Sequence, residues 1–106
     1  MIKQGGAEVL TLPTNHNLHD QISTELYKKR SLAALIWLID KGRELELTYH
    51  GEEYFLSRSG SNQYVSLWHG QEEQAFDSMD DLIEHAAIGK LHFIDAWPEI
   101  EPRYLY

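Results

Sequence analysis

Residues 44–57 alternate in polarity on either side of a His50-Gly51 pair, and this constrains the fold more than any other feature of the chain. Glu44-Leu45-Glu46-Leu47-Thr48-Tyr49 places an apolar side chain at every second position, the period of a half-buried strand. Glu53-Tyr54-Phe55-Leu56-Ser57 returns as a second strand, and His-Gly suits the tight turn between them. Closing the hairpin at His50-Gly51 sets Leu47 opposite Tyr54 and Leu45 opposite Leu56, with all four on one face. A turn centred on Gly51-Glu52 keeps these side chains on one face too, so the hairpin is better determined than its register.

Upstream the period is helical. Residues 32–39 are apolar all round and predict a central helix, with Ser31 as its cap and Gly42 just past its end. Asn17 is a favoured N-cap, and Leu18, Ile22 and Leu26 follow helical spacing after it. Lys28-Lys29-Arg30 interrupts that pattern, which leaves one bent helix or two over residues 18–41. Residues 7–12 read as a short strand stopped by Pro13, and residues 1–8 as a loose, flexible start.

Downstream, residues 58–62 form a turn, residues 63–68 a third strand, His69-Gly70 another turn, and residues 74–76 a short fourth strand. Ser78 opens a helix whose apolar face is Met79, Leu82, Ile83, Ala86 and Ala87, and Gly89 ends it. Residues 91–97 are apolar but too short to separate helix from strand. Pro98 and Pro102 stop that segment and leave residues 103–106 as an aromatic tail. The expected fold class is α+β in a single domain over residues 1–106. It comprises an N-terminal helix or bent helix pair, an antiparallel three- to four-stranded meander and a C-terminal helix.

Composition narrows the function. Hydrophobic residues at 42% and charged residues at 25% match globular domains and exclude a wholly disordered chain. The absence of cysteine excludes disulfides, thiolate zinc sites and a cysteine nucleophile, and it fits a reducing cytoplasmic location. The longest apolar run covers eight residues, against about 20 for a membrane span. The N-terminus lacks the apolar stretch of a signal peptide, so no membrane association is expected. The net charge of −8 is uneven: residues 1–43 hold six cations and four acids, residues 44–106 three cations and thirteen acids. Between Glu44 and Glu84, Arg58 is the lone cation against ten acids, which argues against direct nucleic-acid binding by this half.

No catalytic set emerges. His16, His19 and Asp20 form one His-x-x-His-Asp cluster, and Asp81 and His85 share a helix face, but no regular metal-binding motif includes them or His92. No cofactor, metal or catalytic residue is expected. Glu52-Glu53, Glu72-Glu73 and Asp80-Asp81 read as a solvated acidic rim, since adjacent acids do not face each other across a cleft. Tyr64 and Trp68 read as core or interface aromatics, because the surrounding charge is wrong for base stacking. Lys28-Lys29-Arg30 reads as a solvated face, or as the contact to the acidic half of a second copy in a homodimer.

The segments Tyr49-His50-Gly51-Glu52-Glu53-Tyr54, Phe76-Asp77-Ser78-Met79-Asp80-Asp81-Leu82-Ile83, Ile88-Gly89-Lys90 and Trp97-Pro98-Glu99-Ile100 span roughly residues 44–101. Over that stretch the chain resembles short uncharacterised proteins of Gram-positive bacteria and their phages. The resemblance implies no activity and carries no functional residue over, and the N-terminal third departs from it.

The expected function is a small, acidic, non-enzymatic protein-interaction or regulatory protein. Glu44, Glu46, Glu52, Glu53, Glu72, Glu73, Asp77, Asp80 and Asp81 are its candidate partner-binding residues, facing a basic surface. The sharper form is a phage-type inhibitor that mimics DNA. The alternatives are a structural domain that dimerises through the N-terminal strand or the aromatic tail, and a small ligand- or metal-binding enzyme using His85 or His92 beside carboxylates.

Overall fold

The computed structural model describes residues 18–59 and 64–106. The expected strand over residues 7–12, the cap at Asn17 and the cluster at His16 lie outside them.

Two helices come first. Helix α1 (Leu18–Lys29) is mostly polar, with Leu26 its one fully buried side chain and Ile22 packed against the core. Asp20 in its first turn and Lys28 and Lys29 in its last complement the helix dipole. Arg30 breaks it by adopting a left-handed φ of 55°. Helix α2 (Leu32–Asp40) then starts on Ser31, whose Oγ accepts the Ala34 N–H at 3.1 Å. The two helices are therefore distinct, and the basic triplet marks the break between them.

Helix α2 ends in a Schellman arrangement. The Gly42 N–H donates to the Ile39 carbonyl and the Arg43 N–H to the Leu38 carbonyl, both at 3.0 Å, with Gly42 at φ 92°.

The sheet has five antiparallel strands. Strands β1 (Leu45–Tyr49), β2 (Glu52–Arg58), β3 (Val65–His69) and β4 (Glu72–Phe76) follow as two hairpins. Strand β7 (Ile100–Leu105) closes the chain, and the order across the sheet is β4-β3-β2-β1-β7. The first hairpin has the expected register, Leu45 opposite Leu56 and Leu47 opposite Tyr54. His50 and Gly51 both take positive φ, 51° and 82°, as a two-residue hairpin turn with the right twist requires.

Four expectations need correction. The second turn falls on Gly70-Gln71, so His69 belongs to β3, and β4 starts at Glu72 rather than Gln74. Helix α3 (Met79–His85) stops short of Gly89. Ala86 is buried as its cap, but Ala87 is exposed in a two-residue strand, β5 (Ala87–Ile88), paired with β6 (Leu91–His92). The ambiguous segment resolves into β6, helix α4 (Phe93–Ala96) and a 3-10 turn (Trp97–Glu99).

The fourth correction is the fifth strand, which the prolines had argued against. Pro102 is tolerated because β7 is an edge strand and because its pairing with β1 shifts register between Glu46 and Leu47. The residues read as a tail are thereby part of the sheet. Tyr106 exchanges both backbone hydrogen bonds with Glu44, at 2.7 and 3.2 Å.

One face of the sheet is covered. Leu45, Leu47, Tyr49, Tyr54, Leu56, Val65, Leu67 and Ile100 are buried with Leu35, Leu38 and Ile39 of α2, Met79, Leu82 and Ile83 of α3, and Phe93 and Ala96 of α4. Helix α2 lies against β2, and α3 against β3 and β4. Two polar clamps fix the perimeter. Gln74 both donates to and accepts from the Ala87 backbone, at 2.8 and 2.7 Å, which ties the β5–β6 hairpin to the edge strand β4. The Trp97 indole stacks on Phe93 and donates to the Arg30 carbonyl at 2.9 Å, joining the C-terminal 3-10 turn to the α1–α2 link. Among the described residues no helix is long and apolar enough to cross a membrane.

Candidate functional site

The opposite face of the sheet carries no helix, and alternation assigns its residues. Cross-strand pairs put Tyr104, Glu46, Phe55, Trp68 and Glu73 in one continuous row from β7 to β4. Glu101, Thr48 and Glu53 form a parallel row toward the turns, and Ser57, Ser66 and Ala75 one on the other side. Phe55 and Trp68 are half-buried, whereas Tyr104 and Tyr106 are exposed at the edge.

Hydrogen bonds hold this face in place. The Trp68 indole N–H donates to Ser57 Oγ at 3.2 Å, which fixes the ring across β2. Ser66, the one buried polar side chain among the described residues, donates to Glu73 Oε2 at 2.6 Å. Tyr106 donates its hydroxyl to Glu46 Oε1 at 3.0 Å and tilts against Phe55 at 6.1 Å. That hydrogen bond to a carboxylate raises the Tyr106 pKa above the usual phenol value, because ionisation would set two negative oxygens together.

Two depressions share Glu46 and Glu53. One, of about 240 Å³, is lined by these two acids with Tyr54, Phe55, Trp68 and Gly70. The other, of about 410 Å³, adds Thr48, Glu101, Arg103 and Tyr104 on the β7 side.

A second polar cluster occupies the turn end of the sheet. His50 stacks on Tyr49 at 4.0 Å and pairs with Glu99, while His69 stacks on Tyr54 at 4.4 Å and pairs with Glu52 at 2.8 Å. Burial raises the Tyr54 pKa, as does the nearby Glu52 charge, against a lowering backbone hydrogen bond from Gly89. Both imidazoles are exposed and engaged by carboxylates.

The nine acids read from the sequence do not form one surface. Glu46, Glu53 and Glu73 lie on the open face. Glu52 and Glu72 lie on the covered-face side at the turn end, near His69. Asp77, Asp80 and Asp81 surround the start of α3, where the Asp81 N–H donates to Ser78 Oγ at 3.1 Å. Glu44 sits half-buried beside the Tyr106 backbone. Among the described residues no three His, Asp or Glu side chains come together as metal ligands. His19 stands edge-on to Trp37 at 4.9 Å, and His85 and His92 are exposed.

The aromatic members of the open face were missed in the sequence. Phe55 breaks the alternation of β2 by following Tyr54, and Trp68 does the same after Leu67. An apolar residue out of phase in a half-buried strand is the signal that could have found them. Compared with known proteins, the chain matches no family model, no curated protein and no solved structure.

Proposed function

We propose that this protein is a non-enzymatic binding protein that engages a protein partner through the open face of its sheet. The observation that carries the reading is the in-register row Tyr104–Glu46–Phe55–Trp68–Glu73 on a face that no helix covers. Large aromatics on an uncovered face offer apolar area at low conformational cost, and Trp and Tyr dominate the centres of protein interfaces. The surrounding carboxylates supply the polar rim that such interfaces carry. The rigid support beneath, a sheet with its other face in the core, presents the row without rearrangement.

The test is capture of partners from a cytosolic extract on immobilised protein, with identification of retained species. A partner held by the wild type should be lost by a Phe55→Ala/Trp68→Ala variant and kept by an Asp80→Asn/Asp81→Asn variant. Equal retention by all three proteins would overturn the reading.

A further inference from the structure

We infer that the depression between Phe55 and Trp68 is a cation subsite that receives an arginine side chain from a basic segment of the partner protein. The inference rests on the reading of the open face as a binding surface and names the chemistry it selects.

The three tryptophans differ in one respect. Trp37 has the Lys41 Nζ over its ring at 5.2 Å, and Trp97 has the Arg30 Cζ over its ring at 6.0 Å. Trp68 has no such cation among the described residues, yet it lines a depression walled by two carboxylates. An indole face attracts cations through its quadrupole, and adjacent carboxylates strengthen that attraction. The indole N–H is already used on Ser57 Oγ, so what Trp68 offers a ligand is its ring surface.

The carboxylates are not neutralised from within. Among the described residues Glu46, Glu53 and Glu73 enter no ion pair; the pairs run from His50 to Glu99, Arg58 to Asp40 and His69 to Glu52. Glu46 gives one oxygen to the neutral Tyr106 hydroxyl, and Glu53 is exposed beside it. The nearby cation, Arg103, belongs to the neighbouring depression, which also contains Glu101. The pocket thus combines negative charge with a flat aromatic wall. A guanidinium matches both: its plane stacks on an indole while its edge donates in parallel to a carboxylate, whereas an ammonium offers only a compact charge. A neutral or anionic group would leave these carboxylates desolvated without a partner.

The experiment is a titration of the full ¹⁵N-labelled chain at low salt with a hexaarginine peptide and, separately, with hexacitrulline, its uncharged near-isostere. The expected result is a saturable shift of the Trp68 indole N–H and of the β2 and β3 amides with hexaarginine alone. Trp68→Leu should weaken that binding by roughly 2- to 30-fold. Glu46→Gln/Glu53→Gln, which leaves the aromatic wall in place, should weaken it and flatten its salt dependence. Asp80→Asn/Asp81→Asn should leave it unchanged. Equal shifts with hexacitrulline, or shifts confined to the start of α3, would overturn the inference, as would no shift at all. Loss of the captured partner in Phe55→Ala/Trp68→Ala, combined with an unmoved Trp68 signal, would refute the arginine chemistry and leave the face reading standing. A Trp68 shift combined with capture that ignores the face variants would support the subsite and sink the face reading.

Discussion

Gly89 and Gly70 share one backbone conformation and differ in what surrounds them, which makes their alanine variants a controlled pair. Both have φ +62°, a left-handed conformation that costs an alanine about 1–2 kcal/mol. Each substitution also removes unfolded-state freedom, which returns about 0.4–1 kcal/mol. At Gly70 nothing lies within 4 Å of the added Cβ, so Gly70→Ala should cost roughly 0–1.5 kcal/mol from these two terms. At Gly89 the Cβ would stand 2.9 Å from Tyr49 Cε2. That ring is only 7% exposed, stacks on His50 at 4.0 Å, and His50 is held by Glu99, so the ring has little room to yield. Overpacking of this kind costs about 1–3 kcal/mol. Gly89→Ala should therefore be about 1–3 kcal/mol less stable than Gly70→Ala. For a domain of this size that corresponds to a melting temperature lower by roughly 4–20 °C. Urea and thermal unfolding of the two variants, followed by circular dichroism, measure the difference directly. In a Tyr49→Ala background the excess should vanish, since the contact is gone. Equal stabilities of the two single variants in the wild-type background would refute the argument that Tyr49 is confined.

Three further outcomes are expected. Trp97→Phe keeps the stack on Phe93 but leaves the Arg30 carbonyl without its donor, and should lower the urea-derived stability by about 1–3 kcal/mol. Tyr54 has a raised pKa, so the unfolded chain ionises first, and the stability it contributes is present below about pH 10 and is lost as pH rises through the higher folded value. Tyr54→Phe should accordingly lose less stability than the wild type across that alkaline window. Tyr27, raised chiefly by burial, and Tyr106, raised chiefly by its Glu46 hydrogen bond, leave a residual loss in the variant. Ser31→Ala and Ser78→Ala each remove a helix cap and should each cost about 1 kcal/mol in equilibrium unfolding.

The elements read correctly from the sequence are those closed by short-range chemistry. Ser31 and Ser78 cap the helices that follow them, and Gly42 ends α2, because each acts within three or four residues. The β1–β2 register followed from alternation and a turn that accepts positive φ at His50 and Gly51. Helix α3 was read too long because Ala86 and Ala87 continue an apolar period, although Ala87 is held by Gln74 in a strand. The candidate site was half legible. Glu46, Glu53 and Glu73 were named for their charge, but Phe55 and Trp68 were hidden among apolar neighbours that face the core.

The sequence by itself determined the local pieces: two capped helices, a hairpin with a defined apolar face, and an excess of negative charge after residue 43. Tertiary structure alone decided which acids share a surface. Pairing Leu45 with Leu105 recruits a proline-containing segment as the fifth strand and brings Tyr104 and Tyr106 beside Glu46. Stacking the helices on one face leaves the other open, which turns Phe55 and Trp68 from apparent core residues into surface ones. The physical reason is that period and turn chemistry act between near neighbours, whereas strand order and the choice of covered face depend on contacts between residues far apart in the chain.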